Sequence, residues 1–164
     1  MREKGLVVGI EWEQIWDQER VRVEKTMMPE DQEVFSASAL ELGREVERGL
    51  PLSALDDVVH KVAPDDGSFA YRLVPRATLS RRRRGLGETQ ARLSPDEGAR
   101  VARLARVWEL AREVWKSDEA TREFLFRPNM VLDMQRPVDV ALANEFGGAA
   151  VMNLLGGLLY GTAV

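Results

Sequence analysis

One stretch of the chain, residues 94–117, constrains the fold more than any other. Its sequence, SPDEGARVARLARVWELAREVWKS, spaces apolar residues along a single helix face: Val101, Leu104, Ala105, Trp108, Ala111 and Trp115. Ser94 and Glu97 provide a capping box, with Pro95 at the first helical position. A long amphipathic helix must bury its apolar face against other elements. The helical patterns on both sides of it predict an all-α protein.

Shorter helices are predicted on both sides of this stretch. Upstream, they are expected over residues 30–48 with a stop at Gly49, and over 51–63, 68–74 and 75–85. Downstream, they are expected over 118–126, over 137–146 with a break at Gly147 and Gly148, and over 149–161. Pro75 is expected to hold Val74 in an extended conformation between two of these helices.

The first 28 residues are ambiguous. GLVVGI favours a short strand, whereas EWEQIWDQERVRVEK places Trp12 and Trp16 on one face of a helix. Two tryptophans four residues apart favour a core or an oligomer contact over a ligand site. The segment is acidic, and a role in dimerisation is one expectation for it.

The composition argues against several classes of protein. The chain has no cysteine and a single histidine, His60, which lies in a helical pattern and is expected on a plain helix face. No phosphate-binding glycine loop or nucleophile motif occurs, so no enzyme activity, catalytic residue, cofactor or metal is predicted. No apolar run is long enough to span a membrane, and Glu11 and Glu13 interrupt the N-terminal apolar stretch, which argues against a signal peptide. A cytoplasmic location is expected.

Arginine is concentrated in one block of an acidic chain. The net charge is −4, yet residues 75–106 hold nine arginines and three acids. PRATLSRRRRG, which follows a short helix and a turn, has the layout of a helix-turn-helix with Ala77 and Leu79 facing inward. The candidate DNA-binding residues are Arg76, Thr78, Ser80, Arg81, Arg82 and Arg84. The alternative is a solvated basic helix without a nucleic-acid role.

The last stretch, NLLGGLLYGTAV, is apolar, and no charged side chain follows Glu145. Val151, Leu154, Leu155, Leu158 and Leu159 form the stripe of the last predicted helix. Gly156 and Gly157 are costly inside a helix, so close packing by another backbone is expected there. Residues 160–164, called the terminal segment below, are either the frayed end of a core helix or a segment that enters another molecule's cleft.

Residues 104–161 resemble the C-terminal toxin-binding domain of Xre/MbcA/ParS-type antitoxins. The matching residues are Pro128, Asn129, Leu132, Pro137, Val138, Asp139, Gly147, Val151, Leu154, Leu155, Tyr160 and Gly161. The upstream segments GLPLSALDDVV, TLSRRRR and RLSPDEGARVARLARV resemble the Xre half, so the resemblance covers about residues 49–161. Two departures are that DMQR precedes Pro137, where the family usually has glycine and threonine, and that Arg83 replaces an apolar residue.

The resemblance implies an antitoxin with three regions: residues 1–48, a helix-turn-helix over 49–93 and a toxin-binding domain over 94–164. It implies a RES-domain toxin that consumes NAD as partner, inhibited by insertion of the antitoxin's C-terminal end. The expected toxin-binding residues are Asn129, Leu154, Leu158, Tyr160, Gly161, Thr162, Ala163 and Val164. Operator DNA and a second copy, forming a homodimer within a hetero-oligomer, are the other expected partners. The alternative is a stand-alone dimeric helix-turn-helix transcriptional regulator.

Overall fold

The computed structural model describes residues 39–85 and 91–161. These ranges contain α-helices and one short 3-10 helix and no strand, which confirms the all-α prediction. The elements are α1 (Ala39–Arg48), α2 (Leu52–Val62), α3 (Ala70–Leu73), α4 (Arg76–Gly85), α5 (Pro95–Trp115), α6 (Asp118–Phe126), the 3-10 helix (Met130–Leu132), α7 (Pro137–Ala143) and α8 (Glu145–Tyr160). Within these ranges, no helix is both long and apolar enough to cross a membrane. The predictions for Trp12, Trp16 and the first 28 residues, and for Thr162, Ala163 and Val164, lie outside the described residues.

Helix α5 forms the centre of the fold. Ser94 caps its N-terminus through the predicted capping box with Glu97, and the helix runs for 21 residues to Trp115. It packs against α1, α2 and α3 on the N-terminal side and against α6, α7 and α8 on the C-terminal side. Five of the six residues predicted for its apolar face are buried, while Trp115 is partly exposed. The core therefore forms around the helix that the sequence predicts most clearly.

The N-terminal helices are short because glycine and proline separate them. Gly49, with φ +87°, ends α1 in the left-handed conformation that glycine tolerates best. Pro75 holds Val74 in an extended conformation, as predicted. The two-turn helix predicted over 68–74 was wrong in length, since α3 makes one turn and the residues before it belong to the preceding turns.

The break between α7 and α8 lies at Asn144. The prediction of a break at Gly147 and Gly148 was wrong, because both glycines lie in the first turn of α8. The Asn144 side-chain oxygen accepts a hydrogen bond from the Gly147 amide at 2.9 Å and so caps the helix. Gly147 is needed for packing instead, since a Cβ there would overlap the carbonyl oxygen of Val140 in α7.

We expect Gly147→Ala to lower the free energy of unfolding by about 2–4 kcal/mol, because α7 and α8 must move apart to admit the methyl group. Gly156→Ala is the matched control within the same helix. Nothing lies within 4 Å of a Cβ at Gly156, so the close backbone expected there is absent and alanine should stabilise the protein by about 1 kcal/mol. Urea denaturation of both variants measures the difference, and equal stability of Gly147→Ala and the wild type would contradict the packing argument.

Candidate partner-binding surfaces

Helix α4 presents most of its arginines outward. Arg81 and Arg84 are exposed, and the Arg76 guanidinium lies 5.5 Å from the centre of the Tyr71 ring on α3. Leu79 is buried, whereas Ala77 is exposed, so the prediction that Ala77 faces inward was wrong. Of the other candidate residues, Ser80 is exposed and Thr78 is half-buried.

Two arginines of α4 are bound to neighbouring helices. Arg82 pairs with Glu97 at the start of α5, with Nη1 and Oε2 2.5 Å apart and side-chain exposures of only 22% and 10%. Arg83 pairs with Asp56 of α2. Residues three and four positions after Leu79 share its helix face, so α4 docks through one leucine and two ion pairs.

The Glu97 carboxylate joins α4 to the capping box of α5. Its Oε2 accepts from the Ser94 amide at 2.8 Å as well as from Arg82. Burial raises the pKa of Glu97, and the hydrogen bonds from Arg82 and Ser94 outweigh this effect and hold the pKa below the ordinary value of 4.5. The ionised form of Glu97 therefore stabilises the folded state.

We expect Glu97→Gln to lower the free energy of unfolding at pH 7 by about 1–2 kcal/mol, since glutamine keeps the capping geometry and loses the charge that faces Arg82. The folded-state pKa lies below 4.5, so this contribution is complete above pH 4.5 and is lost as the pH falls through the lower folded-state value. The difference in the free energy of unfolding between the wild type and Glu97→Gln should therefore become smaller at acidic pH. Urea titrations at pH 7 and pH 3 measure it, and a constant difference would contradict the assignment.

The C-terminal helices expose several large apolar side chains. Those on α5 to α8 and the turn between α6 and α7 are Trp115, Met130, Val131, Met134, Phe146, Leu158 and Tyr160. Tyr160 is 76% exposed and Leu158 49% exposed, so the predicted apolar stripe of α8 is covered at Val151, Leu154 and Leu155 but not at Leu158. Of these residues, Trp115, Val131 and Leu158 lie together, and exposed apolar side chains that cluster in this way are typical of a protein–protein interface.

Several of these residues line one groove of about 410 Å³, called the α6–α8 groove below. It is lined by Trp115, Ala120, Glu123, Phe124, Arg127, Pro128, Asn129, Val131, Leu154 and Leu158. The Trp115 and Phe124 rings pack with their centres 5.7 Å apart. A groove of this size, lined by two aromatic rings and several aliphatic side chains, accommodates large apolar side chains of a partner.

The predicted toxin-binding residues divide into two groups. Asn129, Leu154 and Leu158 come together in the groove, and Asn129 also caps the 3-10 helix by accepting from the Val131 amide at 2.9 Å. Tyr160 and Gly161 lie at the end of α8, outside the groove lining. Trp115, Phe124 and Val131 are site residues that the sequence does not predict, since the helical spacing places Trp115 on the core face and the other two give no separate signal.

An ion pair connects the N-terminal helices to the C-terminal ones. The Nη2 atom of Arg72 in α3 lies 2.5 Å from the Oδ1 atom of Asp139 in the first turn of α7. Arg100 of α5 also donates to the Leu73 carbonyl oxygen at 3.1 Å. These contacts fix the helix that precedes α4 against both α5 and α7.

The fold and surfaces are those of a helix-turn-helix protein joined to a helical module with an exposed apolar surface. The Antitoxin Xre-like helix-turn-helix domain matches residues 41–106, and the Antitoxin Xre/MbcA/ParS C-terminal toxin-binding domain matches residues 110–161. The chain therefore belongs to the Xre/MbcA/ParS family of antitoxins. The two matches imply a toxin as its protein partner and DNA binding by its helix-turn-helix domain. No curated protein matches the chain.

Both matched domains are binding modules rather than catalytic families. Within residues 39–85 and 91–161, no group of three or more histidine or acidic side chains is arranged to hold a metal ion. His60 lies exposed on α2, on a plain helix face as expected.

Proposed function

We propose that the protein is the antitoxin of a type II system whose toxin is a RES-domain enzyme that consumes NAD. In this proposal, the terminal segment enters the toxin's active-site cleft and blocks access of NAD. The observation that carries the proposal is the match of residues 110–161 to a toxin-binding domain. The exposed, apolar end of α8 at Leu158 and Tyr160 supports it, because such a surface enters a cleft with little desolvation cost.

The second part of the proposal is that α4 reads the operator of the protein's own operon. Arg76, Arg81 and Arg84 contact phosphates or base edges, with Thr78 and Ser80 between them. Arg82 was predicted among the DNA-binding residues, and its ion pair with Glu97 supports a positioning role instead. Binding as a homodimer to a two-fold operator is part of this proposal.

The domain boundaries predicted after residues 48 and 93 remain predictions. The matched helix-turn-helix domain extends beyond both of them, from residue 41 to residue 106. Residues 95–106 of α5 thus lie in one matched domain and residues 110–115 in the other. The cytoplasm, where NAD and DNA are both present, is the proposed site of action.

Co-expression tests the proposed function. The product of the neighbouring gene, expressed alone, should lower cellular NAD and stop growth. Co-expression of this chain should restore both, and the two proteins should purify as one complex. A protein that purifies as a homodimer, binds its operator tightly and forms no complex with that product would favour the stand-alone regulator instead.

A further inference from the structure

A turn closed by backbone hydrogen bonds forms one side of the α6–α8 groove. A proline and a closed turn hold one wall: Pro128 precedes Asn129, whose amide donates to the Gln135 carbonyl oxygen at 3.0 Å. Asn129 accepts in return from the Met134 amide at 2.9 Å through its own carbonyl oxygen. A groove held by backbone hydrogen bonds requires little reorganisation on binding, which favours a high-affinity contact.

The charges around the groove compensate each other. Among the described residues that line it, the charged side chains are Glu123 and Arg127. They form an ion pair, with Arg127 Nη1 and Glu123 Oε1 3.3 Å apart. The other lining side chains in this part of the chain are apolar, apart from the capping residue Asn129. The groove therefore suits a neutral, apolar side chain better than an acidic or basic segment.

The groove reaches the last turn of α8. Leu158 forms part of the groove lining and lies two residues before Tyr160, the first residue of the terminal segment. All ten lining residues lie within the matched toxin-binding domain, residues 110–161. A toxin that receives the terminal segment in its cleft is thus brought against the groove by the same helix.

We propose that the α6–α8 groove anchors the toxin by holding an apolar side chain from the toxin's surface outside its active site. This inference rests on the proposed function and assigns its two parts to different surfaces. The groove supplies most of the affinity for the toxin, and the terminal segment inhibits the toxin. Binding and neutralisation are therefore separable properties of the antitoxin.

Two substitutions at the exposed rim test the anchor. Val131→Asp and Leu158→Asp each place a carboxylate in the groove at a side chain that is 58% or 49% exposed, so the fold should tolerate them. Phe146→Asp, at an 86% exposed site at the other end of α8 and outside the groove lining, is the matched control. Circular dichroism checks that all three variants fold.

Calorimetry with the purified product of the neighbouring gene measures the outcome. Each groove variant should bind about 30-fold or more weakly than the wild type, whereas Phe146→Asp should bind as the wild type does. Removal of residues 160–164 should change the dissociation constant by less than about tenfold while it abolishes inhibition of NAD consumption.

Three results would overturn the inference. The first is that both groove variants bind the toxin with wild-type affinity, and the second is that Phe146→Asp weakens toxin binding as much as they do. The third is that the groove variants lose self-association and keep their toxin affinity, which would assign the groove to a second copy of the chain. Failure of the wild-type protein to bind that product at all would overturn the proposed function itself.

Discussion

An antitoxin that lacks residues 160–164 is expected to lose neutralisation completely. The truncation removes Tyr160, which is 76% exposed, and spares the buried residues Val151, Leu154 and Leu155 that hold α8 in place. The fold should therefore survive while the toxin's cleft is left open. The measurement is growth and cellular NAD in cells that co-express the truncated protein and the toxin.

The melting temperature of the truncated protein distinguishes this result from unfolding. It should lie within a few degrees of the wild-type value, since the truncation removes no buried residue among those described. Tyr160→Phe serves as a matched variant, because it keeps the ring and removes only the hydroxyl group. Full protection of cells by the truncated protein would show that the terminal segment does not inhibit the toxin.

Replacement of Arg76, Arg81 and Arg84 together by alanine is expected to weaken operator binding by about tenfold for each arginine. All three side chains are exposed on α4, so we expect them to reach phosphates. The slope of log K against log salt concentration should also become shallower, by about 0.9 for each phosphate that the variant no longer neutralises. Fluorescence anisotropy over a range of salt concentrations measures both quantities.

Arg82→Ala and Arg83→Ala are the matched comparison on the same helix. Because these side chains bind Glu97 and Asp56, their removal should lower affinity by displacing α4 and leave the salt slope unchanged. Arg82→Lys, which keeps a charge for Glu97, should recover part of the affinity. An unchanged salt slope in the triple variant would place the DNA surface elsewhere on the protein.

Local signals in the sequence predict the features that depend on neighbouring residues. The capping box of Ser94 and Glu97 is predictable because both partners lie within one turn of helix. The extended Val74 and the left-handed Gly49 follow from the residue types themselves.

Features that depend on distant residues are missed or misplaced by sequence reasoning. Glycine disfavours helix, which suggests a break at Gly147, whereas that glycine is required by the Val140 carbonyl of the preceding helix. Arg82 resembles its neighbours on α4 because nothing local shows that Glu97, fifteen residues later, lies beside it. The α6–α8 groove combines residues from α5, α6, the following turn and α8, and only the tertiary fold brings them together.

Helix α5 connects the two proposed binding surfaces of the antitoxin. Its first turn is tied to α4 through Glu97, and its last residue, Trp115, lines the groove. Eighteen residues of helix separate Glu97 from Trp115, which is about 27 Å along the helix axis. In the proposed function, operator and toxin attach at opposite ends of this helix and need not compete for space, so we expect one antitoxin molecule to bind both at the same time.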